Sequence, residues 1–322
     1  MKTMKWLLRR EFWEHKGAFF WAPLVIAAAM VILMGGGFAY SMAVSDSASF
    51  QWQGQNVVSI QGFPQDLRYK IAHVAATGYL GIAAPLFMVL SVVVFFYCLA
   101  ALHDDRRDRS ILFWKSLPLS DRDTVLSKVI TALCVAPAIT IAIGVATSLL
   151  LLVIGMIAAA SKGLNLFAPV LMEPSLYLSP LYLLAFLPLY ILWALPTVGW
   201  LLLVSSWAKS KVFLWAVGLP LVSLLLLFWL NFMISPVAPM QIDIKFLGEE
   251  IVARMLGGLL PGVWLSEVDG SAFSGMRNGL DATLVLGESY RTLATPGVWF
   301  GAVAGAAMIY AAMRLRRWRD EG

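Results

Sequence analysis

Six stretches of this chain carry no Asp, Glu, Lys or Arg: Gly17–Ser45, Val74–Leu102, Val129–Ser161, Pro174–Ala208, Val212–Ile242 and Thr292–Met313. Each holds at least the roughly 20 apolar residues that a helix needs to cross a ~30 Å hydrocarbon layer. A single charge near the middle of such a helix costs about 2.5–3.5 kcal/mol on insertion scales. Six uninterrupted runs of this length therefore predict six membrane-spanning helices. The overall composition agrees: 13% of the 322 residues are charged and 60% hydrophobic, against about 25% and 45–50% in soluble domains. The longest gap between runs, Asp243–Arg291, is too short to hide an extramembrane domain of the usual ~100–150 residues. Residues 1–322 are thus expected to form one all-α integral membrane domain.

The cations set its orientation. The arm Met1–Lys16 carries Lys2, Lys5, Arg9, Arg10 and Lys16; the 103–128 loop carries six more; Lys209, Lys211 and four residues of the tail follow on the same side. Together these are 17 of the 24 Lys and Arg, and the positive-inside rule places them, with both termini, in the cytoplasm. Because basic residues beside spans are explained by orientation, the net charge of +5 does not argue for nucleic acid. The first apolar stretch is longer than a signal-peptide core and is read as a retained span. Cys98 and Cys134 fall inside spans and form neither a disulfide framework nor a metal pattern.

Several segments have a shape of their own. Met4, Leu7, Leu8 and Phe12 share one face of a helical wheel over residues 1–16, with Lys5, Arg9 and Lys16 opposite and Trp6 and Trp13 at the border. This suits a helix lying in the headgroup layer, although Glu11 falls on the apolar face; an ordinary positive-inside flank is the alternative. In the 103–128 loop an apolar core, Ile111–Trp114 with Leu117 and Pro118, sits between charged flanks. Such a core needs a cover, which either a partner protein or the headgroups could supply. The Asp243–Arg291 segment has helically spaced Ile244, Leu247, Ile251 and Met255 before the breaks at Gly257-Gly258 and Pro261-Gly262. Short amphipathic helices at the outer leaflet fit it, with a plain loop as the alternative.

Within the spans, prolines recur at 23, 85, 137, 188, 196 and 220, tolerable only where neighbours satisfy the freed carbonyls. Gly297, Gly301 and Gly305 allow close helix approach, within the subunit in preference to a dimer seam. Phe186, Trp193, Trp200 and Trp207 repeat every seven residues; the stripe either lines a hydrophobic conduit or, the favoured reading, packs against lipid and neighbouring helices. No G-x-x-x-x-G-K-[ST] loop and no H-E-x-x-H occurs, and the six runs hold no Asp, Glu or His. Intramembrane proteolysis and buried proton relays are disfavoured, and no catalytic or metal site is expected.

Two motifs carry a family resemblance. Leu8-Arg-Arg-Glu-Phe-Trp-Glu-His15 resembles the arm that opens many ABC-2 type (ABC exporter) permeases. Asp105-Arg-Arg-Asp-Arg-Ser110, Ser116-Leu-Pro-Leu-Ser120 and Lys128 resemble that family's acidic–basic run, its Leu-Pro turn and the lysine before the third span. Where family members usually carry Gly-Thr, this chain reads Arg109-Ser110. The resemblance implies six spans preceded by an interfacial elbow helix containing Trp6, Arg9, Arg10, Glu11, Phe12 and Trp13, with re-entrant helices in 243–291. It implies that two permease subunits, identical or related, pair in a bacterial plasma membrane. Each would dock on a cytoplasmic ABC ATPase, which holds the ATP and Mg; no cofactor is expected in this chain. Arg107, Asp108, Ser110, Phe113, Trp114, Leu117 and Pro118 would then belong to the ATPase-coupling loop, and Glu11 to a family position able to pair with cytoplasmic basic residues. The expected function is ATP-driven export of a hydrophobic or amphipathic substrate. An ion-coupled secondary transporter and a non-transporting membrane anchor for a regulatory ATPase are the alternatives.

Overall fold

The computed structural model describes the backbone of residues 2–44, 50–52, 55–57, 65–107, 120–234, 248, 252–268 and 282–318. Among these, six helices are long and apolar enough to cross a membrane: Gly17–Tyr40, Gln65–Arg107, Asp121–Ser161, Pro174–Trp207, Leu214–Met233 and Pro296–Arg317. They are called here the first to sixth spans. The second and third, of 43 and 41 residues, outrun the charge-free stretches because helical geometry continues through the charged Gln65–Lys70, Asp104–Arg107 and Asp121–Lys128 ends. Between the first two spans Phe50–Trp52 and Gln55–Val57 form a short antiparallel ribbon.

The spans are not continuous α-helix, and proline accounts for the interruptions. Pro23, Pro137 and Pro220 each stand just beyond a π-helical turn, at Gly17–Trp21, Thr131–Val135 and Leu214–Gly218. Proline has no N–H, and its ring crowds the carbonyl four residues back. In these helices that carbonyl belongs to Phe19, Leu133 or Ala216, each within the widened turn, so the ladder opens where the clash would fall. Pro85 follows a 3₁₀ turn, Tyr79–Ala83, instead.

Two of the freed carbonyls find partners on other helices. The Ala216 carbonyl, which Pro220 cannot reach, accepts from Trp200 Nε1 of the fourth span at 2.8 Å. The Leu176 carbonyl, orphaned by Pro180, accepts from Tyr79 Oη of the second span at 3.0 Å. In hydrocarbon no water substitutes for either donor.

The core lies among the second, third, fourth and sixth spans, where Leu90, Val94, Val129, Ala132, Trp193, Val198, Leu201 and Ala312 are buried. The first and fifth spans are peripheral, with only 17% and 11% of their apolar windows covered, against 39% for the second and fourth. Their Ile32, Leu33, Leu225 and Phe228 are exposed, left uncovered by the described residues of the chain.

Fourth and sixth spans approach most closely at two glycines. A Cβ on Gly199 would lie 2.5 Å from the Gly305 carbonyl oxygen, and one on Gly305 would lie 2.6 Å from the Leu195 backbone. One turn earlier, Gly301 faces Pro196. Gly297 is half-buried in the first turn of the same helix. Gly305→Leu is expected to lower the thermal unfolding midpoint in detergent, by an overpacking cost of about 1–3 kcal/mol. Gly36→Leu, where nothing lies within 4 Å of the added carbon, is expected to leave that midpoint unchanged.

Candidate functional site

A cluster of charges is buried where the spans end, on the face that carries both termini. The N-terminal helix Lys2–Glu14 lies against the start of the third span. Its covered face runs through Met4, Leu7, Leu8 and Glu11, then on to Phe19. Glu11 is therefore the centre of the packed face and is fully buried. Its Oε1 lies 3.2 Å from Lys128 Nζ and 2.8 Å from Arg10 Nη2. Its Oε2 accepts from Tyr97 Oη of the second span at 2.9 Å.

Lys128 is itself 2% exposed and sits 3.5 Å from Asp105 Oδ2, at the end of the second span. Arg316, near the end of the sixth span, holds the same Asp105 oxygen at 3.0 Å and places its Nε 3.3 Å from Asp121 Oδ1. Among the described residues three cations (Arg10, Lys128, Arg316) thus meet the anions Glu11, Asp105 and Asp121, with the more exposed Glu14 also 3.3 Å from Arg10. Near-neutrality is what makes the arrangement tolerable, because the desolvation of each ion is offset only by close partners.

The local sequence explains these positions. Ser120 caps the third span, its Oγ accepting from the Asp123 N–H at 3.1 Å, which sets Asp121 in the first helical turn. Two further turns bring Lys128 onto the face that meets Glu11. On the second span Asp105 and Arg106 point to different partners. Arg106 Nη2 donates to the carbonyls of Ser205 and, at 3.0 Å, Ala208, closing the C-terminus of the fourth span. A cation there also suits the helix dipole. Ser205 Oγ returns the contact by accepting from the Leu102 and His103 N–H groups at 3.0 Å each.

His15 lies beside the cluster, edge-on to Tyr97 with ring centroids 4.8 Å apart. Burial pushes its pKa below the usual histidine value, with the nearby Glu11 working in the opposite direction. His15 is therefore neutral at neutral pH. Glu11, Glu14 and His15 place one ligand atom each within 4.8 Å of one another, but both Glu11 oxygens are engaged and the Lys128 ammonium is adjacent, so these residues do not fit a metal ion.

The remaining expected site residues are distributed as follows. Trp6 and Trp13 are exposed on the N-terminal helix, each under a cation: Arg9 lies 5.6 Å from the Trp6 ring and Lys16 lies 4.8 Å from the Trp13 ring. Phe12 meets Trp13 edge-on. Arg107 is exposed at the helix end, outside the cluster. Asp108, Ser110, Phe113, Trp114, Leu117 and Pro118 lie outside the described residues, which resume at Ser120. The aromatic stripe of the fourth span touches neighbours: Phe186 stacks on Trp264, Trp193 is buried, and Trp200 donates to Ala216.

A second charged feature reaches the spans from the segment before the last span. The Arg254 guanidinium lies 4.2 Å from the Trp193 ring, and the Arg254 carbonyl accepts from Thr197 Oγ1 at 2.8 Å. Gly258 fits against the Trp193 carbonyl and Thr197, and Gly301 leaves room for the Arg254 side chain. Both Trp193 and Thr197 belong to the middle of the fourth span. A segment that is extramembrane by its charge thus brings an arginine to a depth where the spans themselves hold no ion.

Sequence reasoning singled out Glu11 and the lysine at 128 but passed over Asp105 as a partner, and with it Asp121, Arg316, Tyr97 and Arg254. The available signal was the lone Glu on an apolar face, which demands a cation at equal depth. Compared with protein-family models, curated proteins and solved structures, the chain matches none of them.

Lys128→Met leaves the buried Glu11 carboxylate and Asp105 each short of one of their cations and is expected to cost roughly 3–5 kcal/mol of stability. Glu11→Gln combined with Lys128→Met is expected to recover most of that loss, as read from unfolding midpoints in detergent. A double variant as unstable as Lys128→Met alone would mean that the pair does not act as a unit.

Proposed function

We propose that the chain is the permease subunit of an ATP-driven exporter of the ABC-2 type, energised by a separate cytoplasmic ATPase through the 108–119 loop. One observation carries this reading. Arg316 bridges Asp105, which precedes the loop, and Asp121, which follows it. Both ends of the loop are thereby fastened to each other, to the end of the sixth span, and through Lys128 and Glu11 to the N-terminal helix. A push on the apolar loop core by a partner would be delivered to four helices at once.

The other supports are the arm and loop motifs that resemble the family, the excess of cations on one face, and the apolar character of the spans. The N-terminal helix, with its exposed tryptophans and buried Glu11 face, suits the elbow role. The 252–268 segment, which meets Thr197 and Trp193 in the middle of the fourth span, suits a re-entrant element of the outer half. In this reading the partner closes on ATP, the loop follows, and the proline-bent spans reorient to release a hydrophobic or amphipathic cargo outward.

The test uses this chain purified with the ATPase that accompanies it. Replacing Phe113, Trp114 and Leu117 together by Asp, or Arg316 by Gln, is expected to abolish cargo-stimulated ATP hydrolysis while the chain stays in the membrane fraction. Unchanged stimulation with the complex intact would overturn the coupling assignment. Cargo movement in liposomes under an ion gradient without any ATPase would instead identify a secondary transporter. A bound ATPase that no cargo stimulates would identify an anchor.

A further inference from the structure

A cavity of about 190 Å³ lies between the second, third and fourth spans and the segment that precedes the sixth. The fourth span contributes Leu183, Phe186, Leu187 and Tyr190, the i, i+3, i+4, i+7 spacing of a single helix face. Leu90 and Pro137 close the end nearer the charge cluster. At the other end Trp264 is held by its Nε1 donating to Ser289 Oγ at 3.0 Å, after a turn in which Gly262 takes a φ of +90°. A side chain with a Cβ rarely adopts that conformation, so the glycine is what folds Pro261 and Trp264 over the cavity.

Depth and chemistry together restrict the occupant. Tyr190 stands 17 residues before Trp207, about 25 Å up the fourth span from its end at 1.5 Å per residue. Leu90, Pro137, Ile141 and the fourth-span residues all belong to charge-free runs, so this wall of the cavity lies at membrane depth, while Pro261–Leu265 and Val285 cover it from the segment before the sixth span. Its walls are almost entirely carbon, leaving nothing to hold water, which needs two or more polar partners. Its size exceeds the roughly 150 Å³ that accommodates benzene in a soluble protein. The medium available at that depth is hydrocarbon.

We propose that this cavity is a binding site for one acyl chain of a membrane lipid, received between the second and fourth spans and covered by the Pro261–Leu265 turn. The chain end reaches Leu90 and Pro137, and the polar head stays outside, above Trp264. The site lies within one subunit and its occupation requires no ATPase, so it stands or falls apart from the proposed transport function.

The experiment places the full chain in lipid nanodiscs doped with a phosphatidylcholine that carries a diazirine near the end of one acyl chain. A diazirine-bearing alkane without a headgroup serves as a second probe. After photolysis, adducts are mapped by peptide mass spectrometry. Adducts on Leu90, Leu187 and Tyr190 are expected to exceed those on the exposed Leu225 and Phe228 of the fifth span. Filling the cavity with Leu187→Trp or, from the third span, Ile141→Trp should reduce the cavity adducts several-fold and leave the fifth-span adducts unchanged. Leu187→Ala, which enlarges the space, should raise them. Cavity residues left unlabelled by the lipid probe, labelled by the alkane alone, or labelled equally in wild-type and both filled variants would overturn the proposal.

Discussion

The structure hangs on a carboxylate that has been taken wholly out of water. Glu11 is fully buried, and a lone ionised carboxylate in that position would carry a desolvation cost of several kcal/mol. It is tolerated because Lys128, Arg10 and the Tyr97 hydroxyl surround it. Each of those groups must in turn be held, Lys128 by Asp105 and Asp105 by Arg316. The demand for partners thereby propagates from the N-terminal helix to the second, third and sixth spans. Membrane helices gain little from hydrophobic association once lipid surrounds them, so such polar fastening has unusual weight in fixing how their ends are arranged. Arg106 extends the fastening to the fourth span through its terminal carbonyls.

Away from that face the organising constraint is the opposite, the need to leave no backbone group unsatisfied in hydrocarbon. Prolines recur through the spans, and the chain answers with widened turns after residues 17, 131 and 214 and with donors from other helices. Trp200 serves the Ala216 carbonyl and Tyr79 the Leu176 carbonyl. A proline that interrupts one helix thus ties it to a neighbour, as Pro220 and Pro180 do. One end of the bundle is bound by ions; elsewhere neighbouring spans are joined by hydrogen bonds to freed carbonyls near helix ends and by the glycine contacts of the fourth and sixth spans.

Much of this was legible before any coordinates, though unevenly. Charge-free runs located all six helices, because insertion energetics act on each segment locally and need no knowledge of its partners. The ends of the second and third spans were missed by several residues, since Asp104–Arg107 and Asp121–Lys128 continue the helix beyond the apolar layer, where charge no longer signals an end to it. Glu11 looked like a defect on an amphipathic wheel. Its role depends on Lys128, 117 positions away in sequence, and on the meeting of Asp105 with Arg316, which only the packing of the spans decides. Arg254 was counted only among the outer-side cations; re-entrant helices in 243–291 were implied by the family resemblance, but nothing in the local pattern placed Arg254 against Trp193. Phe113 and Trp114 lie outside the described residues, and the role proposed for them rests on motif and on the fastening of the loop's two ends.

The central claim is that the helix ends on the terminal face form one cooperative body. Hydrogen exchange read by mass spectrometry, comparing wild-type protein with the Lys128→Met variant in the same detergent, tests it most directly. The account predicts that protection falls together in four segments: residues 7–15, 102–107, 121–130 and 312–317. Loss confined to the start of the third span, with the other three segments as protected as before, would contradict it.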